Sequence, residues 1–150
     1  MTVDNLQEIL YLELESGSVL RKFEGHDQGQ YVLRSCFGGA TENFVLSGSA
    51  GTLILAPFSY PRVSLSFFAR YTDGKIVVYH RDTGRLLYKL EGHDLTTVNA
   101  VAWNPDSSRA MWASCSDDRT IRIWEMSPAD AKEAESGGPR RNRLRPLSLI

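Results

Sequence analysis

Short runs of apolar residues recur along the chain, and turn residues such as glycine, aspartate and asparagine separate them. Several runs alternate apolar with polar positions, as in Ile9–Leu14 and Thr120–Trp124. This alternation favours β-strands, because successive side chains of a strand point to opposite faces of the sheet. The predicted strands are Ile9–Leu14, Val19–Phe23, Tyr31–Phe37, Asn43–Ser49, Lys75–Tyr79, Val98–Trp103, Ala110–Ser116 and Thr120–Trp124.

A ten-residue segment occurs twice in the chain, as Gly17–His26 and again as Gly84–His93. The two copies share glycine, leucine, lysine, glutamate, glycine and histidine at matching positions, with no gap between them. Each copy ends in a Gly-His pair and is followed by the same order of predicted strands and turns. Such self-similarity at a fixed spacing indicates a duplicated structural unit.

The duplicated unit contains four short strands, with the Gly-His pair before the first strand and Trp124 or Tyr79 closing the third. This arrangement resembles the WD40 repeat, whose four-stranded sheets form the blades of a β-propeller. The second repeat matches best, from Gly92 to Trp124, and its final dipeptide is Trp124-Glu125 where the family has Trp-Asp. The resemblance implies an all-β fold, a partial WD40-type β-propeller with about two and a third four-stranded blades.

The repeats divide the chain into four predicted regions. Residues 1–24 form the end of a preceding blade, 25–91 one WD repeat, 92–126 a WD repeat without its outer strand, and 127–150 a disordered C-terminal tail. The tail contains Gly137-Gly138-Pro139 and four arginines, and it has too few apolar residues to offset the entropy of ordering. A solvated tail is expected there, with binding of an anionic partner as the alternative.

An insertion interrupts the first repeat. The histidine and the strand-two serine are 21 residues apart in both repeats, but the next step to the turn aspartate takes 4 residues in the second repeat and 26 in the first. The surplus of 22 residues is Gly51–Thr72, which brings apolar and aromatic side chains into a turn. We interpret it as a translated, unspliced intron, and the alternative is a genuine long loop used for binding.

Composition restricts the classes of function. The net charge of −1 favours neither nucleic acid nor membrane surfaces as partners. The sequence contains no metal-ligand spacing and no phosphate-binding glycine loop, so we expect no metal, no cofactor and no small-molecule substrate. Cys36 and Cys115 are expected to be buried apolar residues on strands, which fits a reducing compartment. We therefore expect a cytoplasmic protein, with the nucleus as a second location.

Four segments, Gly29–Ala40, Glu42–Ser49, Tyr79–Gly84 and Val98–Pro105, are unusual for a generic blade. Together they resemble the C-terminal blades of the WD-repeat subunit of the glucose-induced-degradation (GID, or CTLH) ubiquitin ligase. That family's LisH and CTLH helices and its first blades have no counterpart here, so we expect a truncated gene model or a C-terminal fragment. The resemblance implies a non-catalytic scaffold whose partners are ligase subunits or substrates destined for the proteasome. The alternatives are another WD-repeat adaptor, in signalling or transcription, and a non-functional gene product.

The family resemblance also implies a structural role for the repeated histidine, which would hydrogen-bond with a serine, an aspartate and an aromatic residue of its blade. The residues at these positions are His93, Ser114, Asp118 and Trp124 in the second repeat, and His26, Ser47, Asp73 and Tyr79 in the first. Serine, histidine and aspartate are also the residues of a hydrolase triad, but the chain has no G-x-S-x-G turn around Ser114. A Cys36–His26 nucleophile pair is equally unsupported, because nothing near Cys36 would activate its thiol. We therefore expect no enzyme.

Overall fold

The computed structural model describes residues 8–29, 31–50, 53–55, 68–70, 74–93, 96–106, 108–135 and 146–149. These residues form antiparallel sheets and one short helix, α1 (Pro128–Glu135). The strands are β1 (Ile9–Leu12), β2 (Val19–Phe23), β3 (Cys36–Gly38), β4 (Phe44–Gly48), β5 (Leu53–Leu55), β6 (Phe68–Arg70), β7 (Lys75–His80), β8 (Leu86–Glu91), β9 (Val98–Trp103), β10 (Met111–Ser116), β11 (Ile121–Glu125) and β12 (Pro146–Leu149). The described part of the chain therefore has the predicted all-β class.

Two four-stranded sheets form the blades of a partial propeller. The first blade has the strand order β3-β4-β7-β8, and the second has β9-β10-β11-β12 with β12 on the outside. The pair β1 and β2 is a separate two-stranded sheet that packs against the first blade through Phe23. The predicted hairpins of the second repeat are confirmed, since Trp112 is paired with Trp103 on one side and with Trp124 on the other.

Apolar residues on facing sheets hold the three units together. The larger core contains Phe44, Leu46, Ile76 and Val78 of the first blade, all fully buried against the second blade and its tryptophans. On its other side, the first blade buries Val45, Val77 and Tyr79 against Phe23 of β2. Alternate residues of one strand thus serve two different interfaces, which is why strands such as β4 are buried along their whole length.

Three tryptophans of the second blade form a parallel stack. The ring centroids of Trp103 and Trp112 are 5.4 Å apart with an interplanar angle of 7°, and those of Trp112 and Trp124 are 6.1 Å apart at 6°. Phe44 of the first blade packs beside the stack, with its ring centroid 6.1 Å from that of Trp103 and its plane tilted by 50°. Aromatic pairs of this kind stabilise a fold beyond their buried area.

The same turn connects the outer two strands of successive units. Gly17 and Gly84 each have a positive φ, 66° and 71°, and each donates its amide to the carbonyl oxygen four residues earlier, Glu13 or His80, at 2.9 Å. Glycine adopts this backbone conformation without the strain that a Cβ atom would cause. The repeated glycine of the sequence therefore marks a repeated turn.

The inner strand of the first blade is shorter than predicted. The sequence predicts a strand over Tyr31–Phe37, but regular pairing with β4 covers only Cys36–Gly38. Arg34 instead makes an isolated parallel bridge to Ala100 of the second blade, and its amide donates to the carbonyl oxygen of Asn99 at 3.0 Å. A backbone group engaged by the neighbouring blade cannot continue the ladder within its own sheet.

The C-terminal region also differs from the sequence prediction. The second blade has an outer strand, because β12 pairs antiparallel with β11, and part of the expected disordered tail is the helix α1. The helix begins with Pro128 after a capping residue, Ser127, whose hydroxyl oxygen accepts the amide of Asp130 at 3.2 Å. A serine cap followed by proline is a favourable helix start that the compositional argument overlooked. The arginines of the tail lie outside the described residues.

Part of the insertion forms a small sheet of its own. Strands β5 and β6 pair antiparallel with each other, with Leu53 opposite Arg70, and they belong to neither blade sheet. The remainder of Gly51–Thr72 lies outside the described residues. Excluding the insertion, β4 and β7 pair directly from Phe44–His80 to Gly48–Ile76, as predicted.

Candidate functional site

The repeated Gly-His pair lies where the chain passes from one blade to the next. The amides of Gly92 and His93 both donate to the carbonyl oxygen of Gly74 in the first blade, at 3.0 and 2.8 Å. A Cβ atom on Gly92 would come within 2.9 Å of the Ile76 side chain and 3.2 Å of the Gly74 oxygen. Glycine at this position therefore permits the close approach that directs the His93 side chain into the second blade.

His93 joins the four predicted residues of the second repeat into one hydrogen-bonded chain. Its Nδ1 lies 2.8 Å from Oδ2 of Asp118, and its Nε2 lies 2.8 Å from Oγ of Ser114. The indole Nε1 of Trp124 donates to the same Ser114 oxygen at 2.9 Å. The distances fit a histidine that donates from Nδ1 to the carboxylate and accepts the serine proton at Nε2.

A fifth residue, Thr120, completes this chain and was missed in the sequence analysis. Its hydroxyl donates to Oδ1 of Asp118 at 2.7 Å and lies 3.2 Å from Nδ1 of His93, and its amide donates to the same carboxylate oxygen at 2.9 Å. The signal in the sequence is the Asp-x-Thr spacing, because an aspartate at a turn commonly accepts from the residue two positions later.

The carboxylate of Asp118 is the charged end of this series of hydrogen bonds. Burial alone would raise its pKa, but the hydrogen bonds from Thr120 and His93 outweigh burial and lower the pKa to about 2. Arg122 lies 3.9 Å from the same carboxylate and adds a weaker favourable charge. Asp118 is therefore ionised throughout the physiological pH range and fixes the orientation of the imidazole.

The first repeat brings its residues together differently. The phenol oxygen of Tyr79 lies 3.5 Å from Nδ1 of His26, and Ser47 shares a 3.1 Å hydrogen bond with the hydroxyl of Ser35. Asp73 lies outside the described residues. Burial raises the pKa of Tyr79 to about 12. Burial also lowers the pKa of His26, and this effect outweighs the opposing charge of Asp27. The first repeat thus contains a buried, neutral histidine and phenol.

The order Ser114–His93–Asp118 has the hydrogen-bond distances of a hydrolytic triad. A nucleophile must meet its substrate, yet Ser114 is 2% exposed and its Oγ already accepts the indole proton of Trp124. The cysteine alternative fares no better, because burial raises the pKa of the Cys36 thiol and so disfavours its reactive thiolate. Cys36 and Cys115 are both partly exposed on their strands, which corrects the expectation that they are buried.

A groove among the described residues lies elsewhere, at the end of the blades away from the histidines. The β3–β4 and β9–β10 turns and helix α1 enclose about 390 Å³, with Phe44, Trp103 and Met126 among the lining residues. An exposed ion pair between Arg109 and Glu125, 2.8 Å apart, borders it. Among the described residues, no group of histidine, cysteine, aspartate and glutamate could hold a metal ion. The helices within the described ranges include none that is long and apolar enough to cross a membrane.

Comparison with known proteins agrees with this architecture. Residues 84–125 match the family described as WD domain, G-beta repeat. This range begins at the turn before β8 and ends with β11, so it includes the second Gly-His pair and every member of the His93 chain. The chain therefore contains a WD repeat of this family.

Similarity to individual proteins extends beyond this one repeat. The chain is 38% identical over 112 residues to GID complex subunit 7 of Schizosaccharomyces pombe, which covers 75% of this chain and 17% of that protein. It is 34% identical over 121 residues to the WD repeat-containing protein 26 homolog of Arabidopsis thaliana, covering 80% of this chain and 16% of that protein. The chain thus spans about a sixth of the length of these curated relatives.

A shorter match indicates how much of the similarity is general to WD repeats. The probable cytosolic iron-sulfur protein assembly protein 1 of Scheffersomyces stipitis is 40% identical over 63 residues, covering 42% of this chain. One repeat and its neighbouring strands suffice for a match of that length. The similarity to the first two relatives covers nearly twice as much of the chain.

Proposed function

We propose that this chain is part of a non-catalytic scaffold subunit of a GID/CTLH-type ubiquitin ligase, acting in proteasome-dependent protein degradation. The observation that carries the proposal is the coverage of 75% and 80% of the chain by GID complex subunit 7 and a WD repeat-containing protein 26 homolog. The site supports the non-catalytic part, because Ser114 and His93 are buried and hydrogen-bonded to each other, and the Ser114 oxygen also accepts from Trp124. In this proposal the chain supplies the C-terminal blades and works in the cytoplasm, with the nucleus as a second location.

The proposed role of the histidine chain is structural. A buried imidazole, hydroxyl and indole each need a hydrogen-bond partner. The hydrogen bonds that run from Trp124 through Ser114 and His93 to Asp118 provide one for each group. It ties β11, β10 and the connection between blades into one unit. This rigid unit would present loops of the propeller to protein partners, either other ligase subunits or substrates.

A graft into the fission yeast relative tests the proposal. The aligned segment of GID complex subunit 7 would be replaced by the matching part of this chain, with and without Gly51–Thr72, and the tagged graft would be purified from cells lacking the native subunit. We expect the graft without the insertion to co-purify with the other subunits of the complex, as measured by mass spectrometry. A matched control graft from the iron-sulfur assembly protein should fold as a WD repeat but lose those subunits.

The alternatives predict different results in the same experiment. A general WD-repeat adaptor predicts that both grafts behave alike, because only blade geometry would then matter. A non-functional gene product predicts that neither version of this chain accumulates in its own cells, which immunoblotting would detect. Transcript sequencing across Gly51–Thr72 distinguishes the retained-intron hypothesis from a genuine loop.

A further inference from the structure

The turn groove, formed by the β3–β4 turn, the β9–β10 turn and helix α1, has a floor of three large apolar side chains. They are Phe44 of the first blade, Trp103 of the second blade and Met126, which follows β11. The volume of about 390 Å³ lies within the range of about 300–1,000 Å³ that is usual for ligand sites. Aromatic residues and methionine are enriched in protein-binding surfaces, and a methionine side chain adapts to the shape of its ligand. The floor is therefore suited to a bulky apolar side chain from another molecule.

Small residues keep the turn groove open. Gly39 has a φ of 91°, and a Cβ atom there would lie 3.0 Å from the ring of Phe44. Such an atom would be strained and would crowd the floor, so glycine preserves the space. The other small residues of the lining are Ala40, Ser108, Ala110 and Ala131. The turn groove thus results from small side chains on both blades and on α1.

The elements that form the turn groove differ between the two repeats. Trp103 stands ten residues after His93, and the residue at the same distance from His26 is Cys36. A short turn, residues 81–85, follows β7, whereas helix α1 lies in the connection that follows β11. The floor and one wall of the turn groove therefore come from features that the second repeat adds to the shared pattern. Connections that vary on a constant scaffold are where binding residues are usually found.

The charges of the turn groove favour an acidic ligand. Its charged lining residues are Arg109, Glu125 and Lys132, whose sum is +1, whereas the whole chain carries −1. Glu125 accepts a hydrogen bond from Arg109 at 2.8 Å, but 57% of the Arg109 side chain stays exposed. Lys132 is exposed on α1. A carboxylate that enters the turn groove would therefore meet two cations beside an apolar floor.

We propose that the turn groove binds a linear peptide of a partner protein, in which a bulky apolar residue lies next to acidic residues. The apolar side chain packs on Trp103 and Met126, and the neighbouring carboxylates face Lys132 and Arg109. A buried apolar anchor supplies most of the affinity of such a contact, and complementary charge supplies selectivity. This site is separate from the hydrogen bonds of His93, so the proposal stands whether or not the chain belongs to a ubiquitin ligase.

The test uses the full chain on a soluble carrier and fluorescein-labelled synthetic peptides of the form Gly-Glu-Asp-X-Leu-Glu-Gly, where X is leucine, phenylalanine, methionine or tryptophan. Neutral control peptides have glutamine and asparagine in place of the acidic residues, and polar control peptides have serine in place of X and leucine. We expect the best acidic peptide to bind at least about tenfold more tightly than either of its controls in fluorescence anisotropy, because each control lacks one recognised feature. Added salt should weaken its binding.

Substitutions in the turn groove distinguish docking there from general attraction. Lys132→Glu should weaken binding of the acidic peptide by about tenfold and favour a peptide with lysine at the acidic positions. Arg119→Glu is the matched control, because it makes the same change of charge at an exposed residue of the same blade, in the β10–β11 turn. It should leave the affinity within about twofold. Ala40→Trp fills the turn groove from an exposed position and should abolish binding.

The unaltered chain provides a measurement that does not depend on the folding of a variant. Saturating acidic peptide should slow hydrogen exchange at residues 39–43 and 108–111 and leave exchange at residues 117–120 unchanged. Equal affinity for the acidic and neutral peptides, or for the acidic peptide in the K132E and R119E variants, would overturn the proposal. So would a change of oligomeric state caused by Ala40→Trp without peptide, because the turn groove would then hold a second copy of this chain.

Discussion

The two repeats solve the same packing problem with different chemistry. In the second repeat, His93 makes two hydrogen bonds of 2.8 Å and lies in a chain that ends at an ionised carboxylate. In the first repeat, the described contact of His26 is a 3.5 Å approach to the phenol of Tyr79. Hydrogen bonds to charged groups are worth roughly twice as much as neutral ones. The two repeats thus share the position of the histidine, whereas the length and the charge of its hydrogen bonds differ.

The two blades also differ in how much of their faces is buried against neighbouring sheets. The first blade is covered on both faces, and Gly48 allows the backbone of Val98 in the second blade to approach closely. The corresponding residue of the second blade is Cys115, which is partly exposed, and nearby Ile121 is 46% exposed. The first blade is therefore buried on both faces, whereas Cys115 and Ile121 of the second blade stay partly exposed.

The largest effect, on solubility and oligomeric state, should come from adding or leaving out neighbouring blades. Leu10, Leu12, Val19 and Leu20 of the β1–β2 sheet are each between 43% and 48% exposed, so residues 1–150 alone should be insoluble or oligomeric. Adding the upstream blades of a relative should give a soluble monomer, whereas deleting Gly51–Thr72 should help only slightly. Size-exclusion chromatography with thermal unfolding of the three proteins measures this. A monomeric, cooperatively melting 150-residue chain would contradict it.

The next largest effect is a difference in stability between alanine variants of the two histidines. Both variants are made in the protein to which the upstream blades have been added. His93→Ala should lower the free energy of unfolding by about 3 kcal/mol, because it removes the two hydrogen bonds of the imidazole, one of them to an ionised carboxylate, and leaves the buried Ser114 hydroxyl with fewer partners. His26→Ala should cost about half as much, since the described contact it removes is one weak, uncharged hydrogen bond. Chemical denaturation of both variants gives the difference. Equal losses would show that the first network is as strong as the second.

A smaller effect is expected at the equivalent positions Gly48 and Cys115. A Cβ atom at residue 48 would collide with the carbonyl oxygen of Val98, so Gly48→Ala should cost about 1–3 kcal/mol. Cys115→Ala is the matched control and should change the free energy of unfolding by less than about 1 kcal/mol, because the residue is partly exposed. If both variants unfold at the same denaturant concentration, the close approach of the blades is not what requires glycine.

The smallest effects should appear as two separate windows of acid sensitivity. The pKa of folded His26 lies below its ordinary 6.5, so stability falls as the pH drops from 6.5 toward that lower value, where only the unfolded chain takes up the proton. The pKa of folded Asp118 is about 2 against an ordinary 3.8, so its contribution persists above pH 3.8 and is lost as the pH falls through about 2.

Denaturant titrations at a series of pH values would resolve the two windows. His26→Gln should remove the change near pH 6.5 and leave the lower one, and Asp118→Asn should do the reverse. A single transition that both substitutions shift together would mean that the two networks are coupled across the blades.

The amino-acid sequence by itself determined that the protein contains a repeated unit and where each copy lies. Alternation, the ten-residue echo and the constant 21-residue spacing predicted the strands and the order of their pairing, and the resemblance to WD40 repeats implied which residues meet around His93. These features are local or periodic, so they can be recognised in the sequence without knowing how distant segments pack together. The insertion could be placed for the same reason, because it breaks an otherwise constant spacing.

Only the tertiary structure decided which backbone groups pair across blades and what fills the last edge. Arg34 leaves its own sheet to pair with Ala100, and Pro146–Leu149 reaches the edge of β11 from a segment whose composition predicted disorder. The parallel stack of Trp103, Trp112 and Trp124 likewise depends on three strands coming together in one register. An open strand edge attracts any segment that can satisfy its amides and carbonyls, and composition does not reveal which segment lies within reach.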